Sequence, residues 1–123
     1  MYNLLIVLAL LLTPEEAIRY WANHYNVPVE YAMCVAKKES DMNPYALGDF
    51  HMGEPSYGLY QFRPETREYA KRKAGAGPGG WENSPSEQAR LAMYLMGVEG
   101  RWEWWHTEHL CEECGRQHEK RCE

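Results

Sequence analysis

Four prolines divide the middle of this chain into helix-length blocks, and that punctuation constrains the fold more than any other feature. Thr13-Pro14-Glu15-Glu16 has the form of a capping box. The Thr13 hydroxyl is placed to accept from the backbone of Glu16, the Glu16 carboxylate to reach back, and Pro14 suits the first helical position. Ala17, Ile18, Trp21, Ala22 and Tyr25 follow at three- and four-residue spacing, which predicts an amphipathic helix over 13–26. Val27-Pro28 breaks it and opens a second helix over 28–39. Pro64 opens a third over 64–73, and Pro85-Ser86-Glu87 starts a fourth over 86–98. A short fifth holds Trp102, Trp104 and Trp105. A loop containing Gly and Pro, 41–57, separates the second and third helices, and the turn AGAGPGG, 74–80, separates the third and fourth. No segment sustains strand alternation, and there is no internal repeat or nucleotide loop. The fold class is therefore mainly α, with little or no β.

At 123 residues the chain holds one domain, expected at 13–105, with a leader before it and a tail after it. Residues 4–12 are an unbroken apolar run of nine. A membrane span needs about 20 residues, so this run is too short to cross alone. It has the length of the apolar part of a secretory signal, or of a short membrane anchor. No Lys or Arg precedes it and no small-x-small cleavage site follows it, so a core segment is the alternative. The signal or anchor reading implies export.

The tail, 106–123, carries Cys111, Cys114, His118 and Cys122 as C-x2-C-x3-H-x3-C, tighter than a zinc knuckle. Three thiolates and an imidazole make a tetrahedral set for a structural zinc. Cys34 is the fourth cysteine, so an exported chain can instead close two disulfides in three connectivities. Zinc, disulfides and free thiols all stand open on spacing alone. The formal net charge is −5, and the tail carries three Lys or Arg against five acidic residues. That balance argues against a nucleic-acid partner, and with it against a small zinc protein of that kind.

One carboxylate stands out. Ala32, Val35, Ala36 and Glu39 fall at i, i+3, i+4 and i+7 of the second helix, so Glu39 ends the apolar stripe while Lys37 and Lys38 point elsewhere. Desolvation raises a carboxyl pKa, and the negative end of the helix dipole opposes an anion there. Both keep the acid protonated near neutral pH, as a general acid requires. The alternative is an ordinary helix-end Glu paired with Lys37, Lys38 or an Arg.

Glu39-Ser40-Asp41-Met42-Asn43-Pro44-Tyr45-Ala46 leads to Ser56-Tyr57-Gly58-Leu59-Tyr60-Gln61. This pair of segments resembles the lytic transglycosylase domain of the soluble type, related to goose-type lysozymes. Gln88, Ala89, Ala92, Tyr94, Leu95, Gly100, Trp102 and Trp105 resemble a later helix of that family, and the likeness covers residues 15–105. The resemblance implies a lysozyme-like all-α domain with a small cleft. It also implies cleavage of the β-1,4 bond between N-acetylmuramic acid and N-acetylglucosamine in peptidoglycan, by a monomer that needs no cofactor for catalysis. On that likeness Glu39 is the catalytic acid and base. Ser40 and Gln61 line the cleft, and Leu59 and Tyr60 lie where relatives contact the sugar. Tyr94 matches a Tyr that reaches toward the catalytic Glu, and Asn43 fixes the loop. The site of action is the cell envelope, the extracellular space or a virion, with a membrane tether through the apolar run as a further partner.

Most glycosidases use two carboxylates. Asp41, Asp49 and Glu54 are the loop acids near Glu39, and Asp49 is the best candidate for a second acid. Transglycosylases of this type manage with one Glu because the substrate's own C6 hydroxyl is the nucleophile, giving a 1,6-anhydro end. A hydrolytic lysozyme on the same fold and an inactive glycan-binding or structural module are the alternatives. Arg63, Arg67, Lys71, Arg72 and Lys73 outnumber Glu65 and Glu68 around the third helix, and interleaved charge of this kind reads as a solvated face. Five Trp and nine Tyr are many for this length; such rings fill cores and also line sugar clefts, and both roles fit the Trp102, Trp104 and Trp105 cluster.

Overall fold

The structure is a computed structural model and describes residues 12–75, 84–101, 105 and 114. Four helices carry it: α1 Pro14–His24, α2 Val29–Ser40, α3 Pro64–Ala74 and α4 Pro85–Gly97. Between α2 and α3 lie two short antiparallel strands, β1 Leu47–Gly48 and β2 Ser56–Tyr57, with a 3-10 turn, Phe50–Met52, between them. The domain is mainly α, as its periodicity predicts; the two-residue strands are too short to leave a pattern in the sequence.

The helix starts follow from their caps. Glu16 donates its backbone N–H to the Thr13 hydroxyl at 3.2 Å, and Thr13 donates its own to the Glu16 carboxylate at 3.1 Å. Ser84 caps α4 by accepting from the Glu87 backbone at 3.1 Å. Pro14, Pro64 and Pro85 all occupy first-turn positions, where the absent N–H has no partner to lose.

Packing fixes the rest. α1 lies chiefly on α4 and also against α2, while α4 in turn meets α3. Ala17, Ile18 and Ala22 of α1, Tyr31, Ala32, Val35 and Ala36 of α2, and Leu91, Met93, Leu95 and Met96 of α4 are buried together. Each large aliphatic side chain so buried contributes roughly 1.5–3 kcal/mol. Trp21 adds a polar tie by donating its indole N–H to the Ser86 hydroxyl at 2.9 Å. Arg90 of α4 pairs with Glu87 at 2.6 Å and donates to the carbonyls of Ala74 and Gly75, which end α3. The basic side chains of α3 are interleaved with partners: Arg67 with Glu54 and Glu68, and Arg72 and Lys73 over the Tyr69 ring.

Leu12 is half-buried against this core; the rest of the apolar leader, and Trp102 and Trp104, lie outside the described residues. Trp105 belongs to the core. It is buried against the rings of Tyr60 and Phe62 and donates its indole N–H to the Tyr60 carbonyl at 2.9 Å. Among the described residues no helix is long and apolar enough to cross a membrane. Cys34 of α2 is joined to Cys114 by a disulfide with a Cα–Cα distance of 5.5 Å. A disulfide sulfur has no thiolate to give a metal, so Cys114 cannot complete the proposed zinc set while the bridge stands. Cys111, His118 and Cys122 lie outside the described residues.

Candidate active site

The site is built where α2 stops. Asp41 sits in the left-handed region, φ 54°, and donates its N–H to the Lys37 carbonyl at 2.9 Å. This is the αL termination usually given to glycine; Asp tolerates it, and the Lys37 ammonium holds its carboxylate below the ordinary range. Met42 is left-handed as well, φ 65°, so the chain leaves α2 sharply and turns across its end. Glu39, in the last turn, is thereby kept partly out of solvent.

The Glu39 carboxyl makes no ion pair among the described residues; Lys37 is committed to Asp41. Burial pushes its pKa up, and the negative charge of Asp49 pushes it further, to about 7. Asp49 is exposed, left-handed at φ 56°, and aimed by the buried Ser56, which donates its hydroxyl to the Asp49 carboxylate at 2.6 Å. Two carboxyl groups with different surroundings therefore act on one another: one half-buried and protonated near neutrality, the other exposed and hydrogen-bonded. Environments that push paired acids apart divide acid and base roles between them.

The turn after β2 closes the other side. Gly58 is left-handed, φ 90°, and a Cβ there would lie 2.5 Å from the Gln88 amide oxygen. Gln88 uses that space. From α4 it accepts the Leu59 N–H at 2.8 Å and donates to the Pro44 carbonyl at 2.9 Å, so one buried amide joins the turn and the 41–48 loop. In the sequence Gln88 enters only through the family likeness; its clue was a polar residue beside the apolar positions of α4. Asn43 works within the loop, accepting the Tyr45 N–H at 2.9 Å.

The remaining expected residues fall in two groups. Ser40 and Gln61 stand at the site but spend their donors on the protein. The Ser40 hydroxyl points at the Ala36 and Leu59 carbonyls at 3.0 and 2.9 Å, tying the end of α2 to the turn. Gln61 donates to the Ala46 and Gly58 carbonyls at 3.1 and 3.0 Å, and its amide oxygen fills the place a side chain on Gly48 would need. Leu59, Tyr60 and Tyr94 depart from the expectation. Leu59 is fully buried and Tyr60 nearly so, its hydroxyl donating to the Ala32 carbonyl at 2.8 Å; neither presents a surface to a sugar. Tyr94 meets the Tyr25 ring edge-on at 6.0 Å and has Glu99 and Tyr69 as polar neighbours. Tyr25 precedes α2 and Glu39 ends it, and the helix between them is roughly 15 Å long. The described contacts of Tyr94 are thus with the end of α1, with Tyr69 of α3 and with Glu99.

No curated protein and no solved structure matches the chain. The family model for the transglycosylase SLT domain matches residues 16–97, from the first turn of α1 to the last residue of α4, and so spans both helices and loops that build the Glu39 site. The chain belongs to the transglycosylase SLT domain family, a glycan-cleaving family of lysozyme-like fold.

Proposed function

We propose that this chain is a peptidoglycan lytic transglycosylase. It cleaves the β-1,4 bond between N-acetylmuramic acid and N-acetylglucosamine, and Glu39 serves first as acid and then as base. The observation that carries the proposal is the half-buried Glu39 carboxyl at the end of α2, without an ion pair among the described residues, its pKa pushed up by burial to about 7. In the first step it gives its proton to the glycosidic oxygen as the C1–O4 bond breaks. The resulting carboxylate then takes the proton of the C6 hydroxyl as O6 closes on C1. No water is consumed, and the acid is regenerated. The nucleophile is already part of the bound sugar, so positioning replaces a protein nucleophile.

Hydrolysis is the second reading, and Asp49 is the observation that favours it. It acts electrostatically on Glu39 and is held by Ser56, as a second carboxylate in a two-acid glycosidase would be. A disulfide at Cys34 accords with an oxidising location, so action in the cell envelope or outside the cell completes the proposal.

Digestion of purified peptidoglycan by the parent and by Glu39→Gln, with products read by mass spectrometry, tests both. Anhydro-muropeptides from the parent and none from the variant are expected. Reducing-end products that vanish in Glu39→Gln and in Asp49→Asn would replace transglycosylation with hydrolysis. A folded parent that releases nothing would leave the inactive glycan-binding module.

A further inference from the structure

Two described residues lie beyond Arg101, and both rest on elements that build the Glu39 site. Cys114 is bonded to Cys34 of α2, the helix whose last turn holds Glu39 and Ser40. Trp105 is 3% exposed and packs on the turn after β2, against the rings of Tyr60 and Phe62. The SLT domain match stops at residue 97, so neither residue belongs to the family segment. The turn under Trp105 is a demanding one. Tyr57 and Phe62 exchange backbone hydrogen bonds at 3.0 and 3.1 Å and so close a loop of Gly58, Leu59, Tyr60 and Gln61. Gln61 sits in the left-handed region at φ 51°, which a residue other than glycine keeps only where its surroundings impose it.

The Trp105 indole is part of what imposes it. The peptide between Tyr60 and Gln61 is held on both sides. Its N–H donates to the Gly58 carbonyl at 3.2 Å, and its carbonyl, on the buried Tyr60, accepts the Trp105 indole N–H at 2.9 Å. The orientation of that peptide plane sets the φ of Gln61. A buried carbonyl stripped of its donor is unfavourable, and a rotation of this peptide toward another partner would take Gln61 out of the left-handed region. The Gln61 amide would then lose its place on the Ala46 and Gly58 carbonyls. The effect reaches the helix end. The Leu59 carbonyl, one residue back, takes the Ser40 hydroxyl at 2.9 Å, and Ser40 adjoins Glu39.

We propose that Trp105 is a positioning residue for the Glu39 site: its indole N–H locks the Tyr60–Gln61 peptide, and with it the turn on which Ser40 holds the end of α2. The inference rests on the glycan-cleaving assignment and deepens it. Trp105 takes no part in proton transfer; it acts through Tyr60, Gln61 and Ser40. Misplacement of a general acid by a fraction of its hydrogen-bond length slows the chemical step without loosening the fold, which separates this role from that of an ordinary core ring.

Trp105→Phe in the full chain keeps an aromatic ring beside Tyr60 and Phe62 and removes the N–H. Trp21→Phe is the matched control, because it also removes an indole donor, one that bonds Ser86 at 2.9 Å rather than the turn. Cleavage of solubilised peptidoglycan strands and amide hydrogen exchange across 57–62 are measured for the parent and both variants, well below all three melting temperatures. Trp105→Phe is expected to lower kcat about tenfold or more with KM within about twofold, and to speed exchange across 57–62. Trp21→Phe is expected to leave kcat and that exchange within about twofold of the parent. If Trp105→Phe does not fold, Trp105 is replaced by benzothienylalanine, which exchanges only the ring N–H for sulfur, and the same readings apply. A kcat within about twofold of the parent, even with faster exchange, would make Trp105 a core residue only and overturn the proposal. An equal loss of kcat in Trp21→Phe would overturn it as well, and so would a loss confined to KM, because a misplaced acid slows the step after binding. A parent that releases no product overturns the cleavage assignment, and this inference falls with it. A parent that cleaves, with Trp105→Phe cleaving equally, overturns this inference alone.

Discussion

Holding a carboxyl protonated near neutrality costs the folded state something that can be measured. Glu39 titrates at about 7 when folded and near 4.5 in an unfolded chain. Between those values the folded protein keeps a proton that the unfolded chain has lost, so stability falls as pH rises through the window. Below the unfolded value the penalty is absent, and above about 7 it is present in full. Glu39→Gln cannot ionise. Its stability should lack this fall across the same window and should exceed that of the parent at pH about 8, by up to ~3 kcal/mol before solvent screening reduces it. Chemical denaturation of both proteins at the two ends of the window checks this, and equal pH profiles would mean that Glu39 is not held protonated. With Glu39 as the proposed acid, the same titration should set the pH dependence of activity. Activity should fall on the alkaline side with a midpoint of about 7, because the acid must carry its proton. Asp49→Asn should move that limb acidward by the smaller part of the shift, since burial is the larger cause and Asp49 the lesser.

At the scale of elements, the loop and the turn around Glu39 depend on one amide from α4. Gly58→Ala asks for a side chain at φ 90° and drives a Cβ against the Gln88 oxygen at 2.5 Å. It should destabilise the protein by about 2 kcal/mol or more. Gln88→Leu keeps the volume but leaves the Leu59 N–H and the Pro44 carbonyl without this partner, at about 1–3 kcal/mol for each group left unsatisfied. Both variants should retain helical circular dichroism and lose glycan-cleaving activity beyond what their melting temperatures explain, because the loop that carries Asp49 is released. The contrast between helices and loops also decides what could be read in advance. Thr13, Pro14, Pro64 and Pro85 act on their own neighbours, so helix bounds were legible to within a few residues. The stripe ending in Glu39 was legible for the same reason. Asp49 was a candidate only by nearness in sequence; its placement depends on left-handed residues at 41, 42 and 49 that carry no periodic signal. Leu59 and Tyr60 belong to a recognisable turn, but which way a turn faces depends on Gln88, Ala32 and Trp105, which are far away in the chain. The likeness of a motif therefore marks a candidate site, but it does not reveal that Leu59 and Tyr60 are buried.

At the scale of the whole molecule, a disulfide between Cys34 and Cys114 closes the domain among the described residues. Cys34 and Cys114 are 80 residues apart, so the bridge encloses all of the 41–61 segment, α3 and α4. Its inner end lies on α2, five positions before Glu39, on the helix that presents the acid. Cross-linking a loop of that length removes about 4 kcal/mol of chain entropy from the unfolded state in the simplest treatment. A domain of this size has only about 5–15 kcal/mol of stability in all. Reduction by dithiothreitol should therefore lower the melting temperature by about 10 °C or more, and the double variant Cys34→Ala with Cys114→Ala should also melt about 10 °C or more below the oxidised parent. Glu39 and its loop are held by the backbone of α2, by α4 and by the hydrogen bonds of Gln88, and of these only α2 carries an end of the bridge. At temperatures well below the reduced melting point, peptidoglycan cleavage should accordingly survive reduction, and the loss should appear only as the temperature approaches that point. If activity instead vanishes on reduction while the helical signal and the melting temperature persist, the bridge acts on the site directly, through α2. The staple would then be part of how Glu39 is placed, and the pH midpoint of any residual activity would move with it.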